Sequence, residues 1–340
     1  MFNVFDLQKK LVAAALPSGH EQNVGAVLAE LARPFVDEVY TDALGNVICH
    51  KKGSGKRIMM PGHMDTIGFM ALFIEDEGFI RFDGIGGHSP ATLIGTPIRF
   101  ANGVRGTIRP AKFADLAGKT LSAIKMSDLY IDIGARDKAE AELLVHIGDV
   151  AVFDTEPRLV AGNNIMTPYA DDLIACVVLL LTMERLKDQK TDNDLYFVFS
   201  VQEEVGLRGA TTAAYGIDPY MGIAVDVCST GDTPTSVDKM VVKIGAGPTI
   251  KIKDSSLICS PQVVEHLRSA ACDAGIAYQD EILTGGGTDS GAMQRTRGGV
   301  YSGCISIPTR HIHSPGELCN IGDVEQAAAL LAAACMREVQ

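Results

Sequence analysis

Two adjacent glutamates close the stretch "LYFVFSVQEE". Residues 195–201 are an apolar run rich in β-branched and aromatic side chains, which reads as a buried strand. Glu203 and Glu204 follow at its end. Carboxylates side by side repel, so either water screens them or a positive charge sits between them. Other segments carry suitable company. His63 and Asp65 follow "RIMMPG", and Asp171 and Asp172 head the helix "DDLIACVVLLLTMERLKDQ". Asp226 ends "MGIAV", and His311 and His313 follow "CISIPTR". Each alone has a plainer explanation: a hydrogen-bonded loop histidine, a helix N-cap, a turn aspartate. Five segments with histidine or carboxylate at strand and helix ends point further, because α/β sheets bind ligands beyond the carboxyl ends of their strands.

Imidazole and carboxylate without thiolate suit Zn²⁺, Co²⁺ or Mn²⁺. A single catalytic zinc needs three protein ligands and a water, and this set exceeds that. Two ions about 3.5–4 Å apart, bridged by a carboxylate and a water, would use all of it. Such a pair acidifies the water and polarises a carbonyl. A neighbouring carboxylate then takes the water's proton and passes it to the leaving amine. One glutamate of the pair binds metal, the other serves as base, and the cations offset their repulsion.

The elements that must position these groups follow from periodicity. Residues 1–67 read as two helices and three strands, with Ser18 as an N-cap and Glu21 three residues on. Residues 68–160 alternate short strands with Gly-rich turns, with one short helix at 137–144, as in a small β-barrel-like insert. Residues 161–340 return to α/β alternation: the long helix from 171, strand 195–201, helix 206–215, strand 221–227, helix 261–274, strand 299–306 and helix 323–337. The expected fold is α/β, with a mostly parallel central sheet, helices on both faces and a β-barrel-like lid domain interrupting it. A length of 340 residues suits about two domains.

Composition narrows the function classes. A net charge of −12 argues against a nucleic-acid partner. The basic "HKKGSGKR" at 50–57 reads as a turn between strands. Eight scattered cysteines without a CxxC pair read as buried thiols in a reducing, cytoplasmic compartment. The apolar run Leu173 to Leu181 is shorter than the about 20 residues a bilayer requires, so no membrane partner is expected. The N-terminal "FNVFDLQKKLVAAAL" reads as an amphipathic helix, not a signal peptide.

The segments "GHMDTIGFM", "ADDLIACVVLL", "VQEEVGLRGA", "AVDV", "GGTDSGA" and "SIPTRHIHSPGE", in that order, resemble the M42 family of dinuclear metallo-aminopeptidases. The lid-like "DLYIDIGARDKAEAELLVHIGDVAVFD" at 128–154 extends the resemblance to nearly the whole chain. It implies a zinc-peptidase-like fold and two divalent metal ions per subunit, zinc foremost, with cobalt or manganese as alternatives. His63 and Asp226 would hold one ion, Glu204 and His313 the other, and Asp171 would bridge them. Glu203 would be the general base, acting on a metal-bridging hydroxide, and Asp65 would orient His63. The resemblance further implies a cis peptide at Asp171–Asp172, short peptides as substrates, and a homo-oligomer, a dodecamer by family habit. Three positions depart from the family pattern: Leu173 replaces an arginine, His311 replaces a tyrosine, and "RPAKF" at 109–113 replaces a P-x-H segment. None is one of the implied metal ligands.

His88, His146 and His266 read as structural, Cys228 as packing, and "TGGGTDSG" at 284–291 as backbone lining a substrate cleft. Two other chemistries compete. A dinuclear deacylase or carboxypeptidase would use the same metal pair. An endoglucanase would need two carboxylates and aromatic platforms, and the chain has no Trp.

Overall fold

A computed structural model of the chain describes residues 2–110, 118, 120–234 and 240–339. The first part holds α1 (Val4–Ala14), α2 (Gln22–Ala32), β1 (Glu38–Thr41), β2 (Val47–Lys51) and β3 (Arg57–His63). Six strands then follow: β4 (Gly68–Ile74), β5 (Ile80–Ile85), β6 (Pro97–Phe100), β7 (Arg105–Pro110), β8 (Leu129–Asp132) and β9 (Val150–Phe153), with α3 (Lys138–Leu144) before the last. Next come β10 (Arg158–Val160), β11 (Asn164–Thr167), α4 (Ala170–Leu186), β12 (Asp194–Ser200), α5 (Arg208–Ile217) and β13 (Met221–Cys228). The chain closes with β14 (Thr249–Lys253), α6 (Pro261–Ala274), β15 (Gln279–Ile282), α7 (Asp289–Gln294), β16 (Tyr301–Arg310), β17 (Glu317–Asn320) and α8 (Ile321–Met336).

Strands β12, β3, β13 and β16 lie side by side and parallel at the centre of one large sheet. Their alternate residues face two different cores, as a side-chain period of two requires. Ile58, Met60, Phe197, Phe199, Ile223, Val225, Ile305 and Ile307 join the larger core under α1, α2, α4, α6 and α8. Met59, Val198, Ala224 and Cys304 face the smaller one under α5 and α7. Apolar side chains on both faces are why these strands read as unbroken hydrophobic runs. The helix α4 is buried over nearly its whole length, so it is apolar all round and not amphipathic. Its neighbour α6 opens with Pro261 and stops at Gly275, whose φ of +64° favours glycine.

The flanks of the sheet are antiparallel. Strands β1 and β2 add to β12 on one side, and β17, β11 and β10 extend β16 on the other. The sheet is therefore mixed: its four central strands are parallel, and β14 joins β16 antiparallel while pairing β15 in parallel. The basic turn at 50–57 joins β2 to β3, and β12 inserts between those two strands. Strands β4, β5, β8, β7, β6 and β9 close into a six-stranded barrel around Phe69, Phe82, Ile98, Phe100, Ile108 and Ile131.

Two expectations need correction or restriction. Ser18 does not cap α2. The residue before that helix is Glu21, in helical backbone geometry with no side-chain cap, and Ser18 Oγ donates instead to Asp65 Oδ2 at 2.7 Å. The hydroxyl's proton goes to a buried carboxylate, a charged acceptor, and its oxygen takes no N–H from the helix end. Of "RPAKF", only Arg109 and Pro110 lie within the described residues, at the end of β7.

Candidate active site

The carboxyl ends of the four central strands open on one cavity of about 540 Å³. His63 is the last residue of β3, and Asp226 sits near the end of β13. Glu203 and Glu204 follow β12, and His313 follows β16. Asp171 enters from the head of α4. All six line the cavity, and Asp65 lies behind His63. The opposite wall is formed by Val227, Cys228, Met240, Ile312 and the ribbon from Thr284 to Gly287. Lys251 also borders the cavity, buried in ion pairs with Glu281 at 2.8 Å and Asp254 at 3.2 Å.

His311 is not brought in. It is exposed, and both His311 and His313 have positive φ, +61° and +62°. The segment is thus turned, not extended, and of the two histidines it is His313 that borders the cavity. His88 bonds the Gly68 and Ile85 carbonyls, His266 bonds the Ala334 carbonyl, and His146 is exposed beside Asp149.

The Asp171 carboxylate stands between two imidazoles, with Oδ1 3.1 Å from His63 Nε2 and Oδ2 3.1 Å from His313 Nε2. The peptide bond after it, Asp171–Asp172, is cis. Neither Asp171 nor Asp172 has helical φ and ψ, so both side chains leave the course of α4. Glu204 Oε2 lies 3.3 Å from His313 Nε2, and Glu203 Oε2 lies 3.8 Å from His63 Nε2. His63 Nδ1 is 3.1 Å from the Asp65 backbone carbonyl and 3.5 Å from its carboxylate. An N–H there donates to the carbonyl and leaves Nε2 facing the cavity.

Beneath these groups, further carboxylates hold the backbone. Asp65 accepts from the Glu203 and Glu204 N–H groups at 3.0 and 3.2 Å, and Asp172 accepts from His63 N–H at 3.2 Å. Glu317 accepts from Asp171 and His313 N–H groups, both at 2.8 Å. Asp289 accepts from Ser200 Oγ at 2.5 Å. Two barrel residues reach the same place. A Cβ on Gly86 would lie 3.3 Å from Glu204 Cβ, and one on Gly87 would lie 3.0 Å from His313 Nδ1. Sequence reasoning assigned no role to Glu317, Asp289, Ser200 or Gly86 and Gly87. The quoted motifs "HSPGE" and "GGTDSGA" contain the first two, but backbone hydrogen bonding leaves no spacing signal.

The electrostatics follow from the crowding of acids around two imidazoles. Burial opposes charge on His63, but Glu203, Asp172, Asp171 and Asp65 outweigh it and raise its pKa well above the imidazole range. His313 is raised to about 11, burial being outweighed by its bonds to Asp171 and Glu204. Burial likewise opposes charge on Asp171, yet His313 and His63 hold its carboxyl below the usual range. The other carboxyls move up. Burial, then Asp226, Asp289 and Glu204, push Glu203 well above its ordinary value. Burial and Asp171 raise Glu204, and raise Asp226 to about 7. Burial and Asp226 raise Asp172, and burial and Asp65 raise Asp289 to about 6. Acids outnumber cations here, which protons or metal ions can offset.

The residues fit divalent cations. Glu204 Oε1, Asp172 Oδ1 and Asp289 Oδ1 are buried without a hydrogen-bond partner. Such an orphaned oxygen costs on the order of 1–3 kcal/mol or more. Among the described residues, donor atoms of His63, Asp171 and Glu204 lie within 4.8 Å of one another, as do those of His63, Glu203 and Asp226. The donors are nitrogen and oxygen, the set that suits zinc, cobalt or manganese.

The family model described as M42 glutamyl aminopeptidase matches residues 45–330. The chain belongs to the M42 family of aminopeptidases. A candidate aminopeptidase from Acetivibrio thermocellus is 45% identical to this M42 chain over 97% of both proteins. A solved aminopeptidase from the archaeon Desulfurococcus kamchatkensis has a TM-score of 0.93 and 38% identity, covering 98% of this chain and 94% of that one. The TET1 peptidase of Pyrococcus horikoshii, which assembles into a tetrahedron or a large octahedral shell, has a TM-score of 0.88 and 32% identity over 99% of this chain and all of that one.

Proposed function

We propose that this chain is a metal-dependent aminopeptidase that removes N-terminal residues from short peptides, with Glu203 as general base. The observation that carries the reading is the Asp171 carboxylate set between His63 and His313, with Glu203 facing the same cavity. His63 and Asp226 would hold one ion and Glu204 and His313 the other, with Asp171 placed to serve both. Two divalent cations bound there supply Lewis-acid polarisation of the peptide carbonyl and a more acidic water.

The chain's own groups do the rest. Glu203 is not assigned to a metal and carries a carboxyl raised by burial, a state suited to taking a proton from water and giving it to the leaving amine. Asp65 holds the Glu203 and Glu204 backbones and, through its carbonyl, the His63 ring. The excess of carboxylates attracts a free α-ammonium and has no such attraction for a blocked N-terminus. No Phe, Tyr or Trp is among the described lining residues, so the aromatic platform of a sugar site is missing from this wall.

Residues 1–67 and 161–340 form the catalytic part in this reading, and 68–160 form a lid that also makes contacts between subunits. The TET1 relative's assembly supports a homo-oligomer, and a dodecamer is the expected form. Seven of the eight thiols are buried, which supports a reducing, cytoplasmic setting. Among the described residues no helix is long and apolar enough to cross a membrane.

A mixture of short peptides, half with free and half with acetylated N-termini, tests the activity by mass spectrometry. Stepwise loss from the free peptides alone is expected, abolished by a chelator and restored by zinc or cobalt. Glu203→Gln should keep its metal and lose at least 10²-fold in kcat, the scale of general-base catalysis. Near-wild-type turnover in that variant would remove Glu203 from its role.

A further inference from the structure

We infer that Glu317 is a positioning residue that fixes the bridging aspartate and the last histidine ligand relative to each other, and so sets the affinity of the metal pair. This rests on the metal site proposed above. Glu317 is the first residue of β17, a strand lying between β16 and β11. Beyond β16 the chain turns to His313, and beyond β11 it enters α4 at Asp171. The two segments that carry these groups are thus separate in sequence and flank one strand. Glu317 is 1% exposed, and its side chain reaches both. Oε1 accepts the His313 N–H and Oε2 accepts the Asp171 N–H, each at 2.8 Å.

Neither N–H has an obvious alternative partner. Asp171 stands in the first turn of α4, where backbone N–H groups have no carbonyl one turn behind them. His313 is in left-handed geometry outside any strand. One carboxylate, with an oxygen for each donor, meets both needs. A closed ring results. From Glu317 it runs through the His313 backbone to its imidazole, across 3.1 Å to the Asp171 carboxylate, and through the Asp171 backbone to Glu317 again. Glutamine has a single acceptor oxygen and can serve only one of the two N–H groups well. Aspartate is a methylene shorter and cannot keep the same reach.

The experiment compares wild type, Glu317→Gln and Glu317→Ala with a matched control, Asp323→Asn. Asp323 is also 1% exposed and also accepts two backbone N–H groups, from Gly245 and Gly247 at 2.6 and 2.8 Å, but none from the site. Zinc affinity is measured by competition with a chromogenic chelator, and thermal unfolding is followed on the metal-free proteins. Glu317→Gln should bind zinc about 10–100-fold more weakly, the loss expected when a group that orients metal ligands is removed. Asp323→Asn should stay within twofold of wild type in zinc affinity even where its melting temperature falls as far. Zinc affinity unchanged in Glu317→Gln, or weakened equally in Asp323→Asn, would overturn the inference. The near-isosteric glutamine keeps the test open if the alanine variant does not fold. Wild-type protein that binds no zinc would instead overturn the metal site itself, so the two failures are distinct.

Discussion

At the scale of single residues, charge pairing decides where acid attacks the fold. Arg310 ends β16 just before the turn to His313, and its guanidinium grips Asp232 through two parallel bonds, Nε to Oδ1 at 2.9 Å and Nη2 to Oδ2 at 2.6 Å. Burial opposes charge on Asp232, but Arg310 outweighs it and lowers the carboxyl from 3.8 to about 2. A depressed carboxyl contributes stability that is fully present above the unfolded value and lost as pH falls through the folded one. The window here runs from about pH 4 down to about 2. Arg310→Met should therefore be less stable than wild type at neutral pH and show a shallower fall over that window. Urea unfolding at stepped pH measures this. Parallel curves for the two proteins across the window would show that the pair carries no such linkage. The pair is partly exposed, so its contribution at neutral pH should be modest.

At the scale of elements, the sequence reveals what repeats and conceals what bonds singly. The central strands were legible because their two buried faces make unbroken apolar runs, and the candidate site residues because each stands at the end of such a run or, for Asp171, at the head of an apolar helix. Helix α6 was legible to the residue because Pro261 and Gly275 mark its ends. The antiparallel flank beyond β16 was not, since β10, β11 and β17 are three or four residues long and owe their places to pairing partners far along the chain. The roles of Ser18 and Glu317 were hidden for the same reason: an acceptor for a distant N–H or O–H has no period. The contact between barrel and site belongs to this class. Gly86 has φ of +78°, and a Cβ there would lie 2.7 Å from Ile67 Cγ2. Gly86→Ala should cost about 1–2 kcal/mol for the left-handed backbone alone. Gly87 is exposed and carries no positive φ, so Gly87→Ala should leave thermal unfolding nearly unchanged. Its new methyl, 3.0 Å from His313 Nδ1, must displace the ring by a few tenths of an ångström. A drop in kcat/KM of severalfold or more is expected from that shift. Wild-type kcat/KM in Gly87→Ala would mean that the barrel loop does not constrain the ligand.

At the scale of the whole molecule, the barrel leaves apolar surface uncovered. Leu143 on α3 is 82% exposed and Ile147 just after it 68%, while Leu72 and Phe73 on the adjoining β4 are about half exposed. Single exposed apolar residues are ordinary, but a group of four on neighbouring elements is the kind of surface that partners cover. The net charge of −12 would keep separate copies apart unless an apolar contact offsets it. A second copy of the chain is the partner we propose, in keeping with the shells built by the TET1 relative. The paired substitution Leu143→Asp with Ile147→Asp puts two more negative charges into that contact and removes its apolar area. Light scattering on a sizing column should show wild type as a large assembly and the variant as a smaller species. The variant should still bind zinc, because none of the four residues borders the cavity. An unchanged mass would place the contact elsewhere on the surface. A monomeric wild type would remove the assembly and leave the barrel only the role that Gly86 and Gly87 give it, as a support packed against Glu204 and His313.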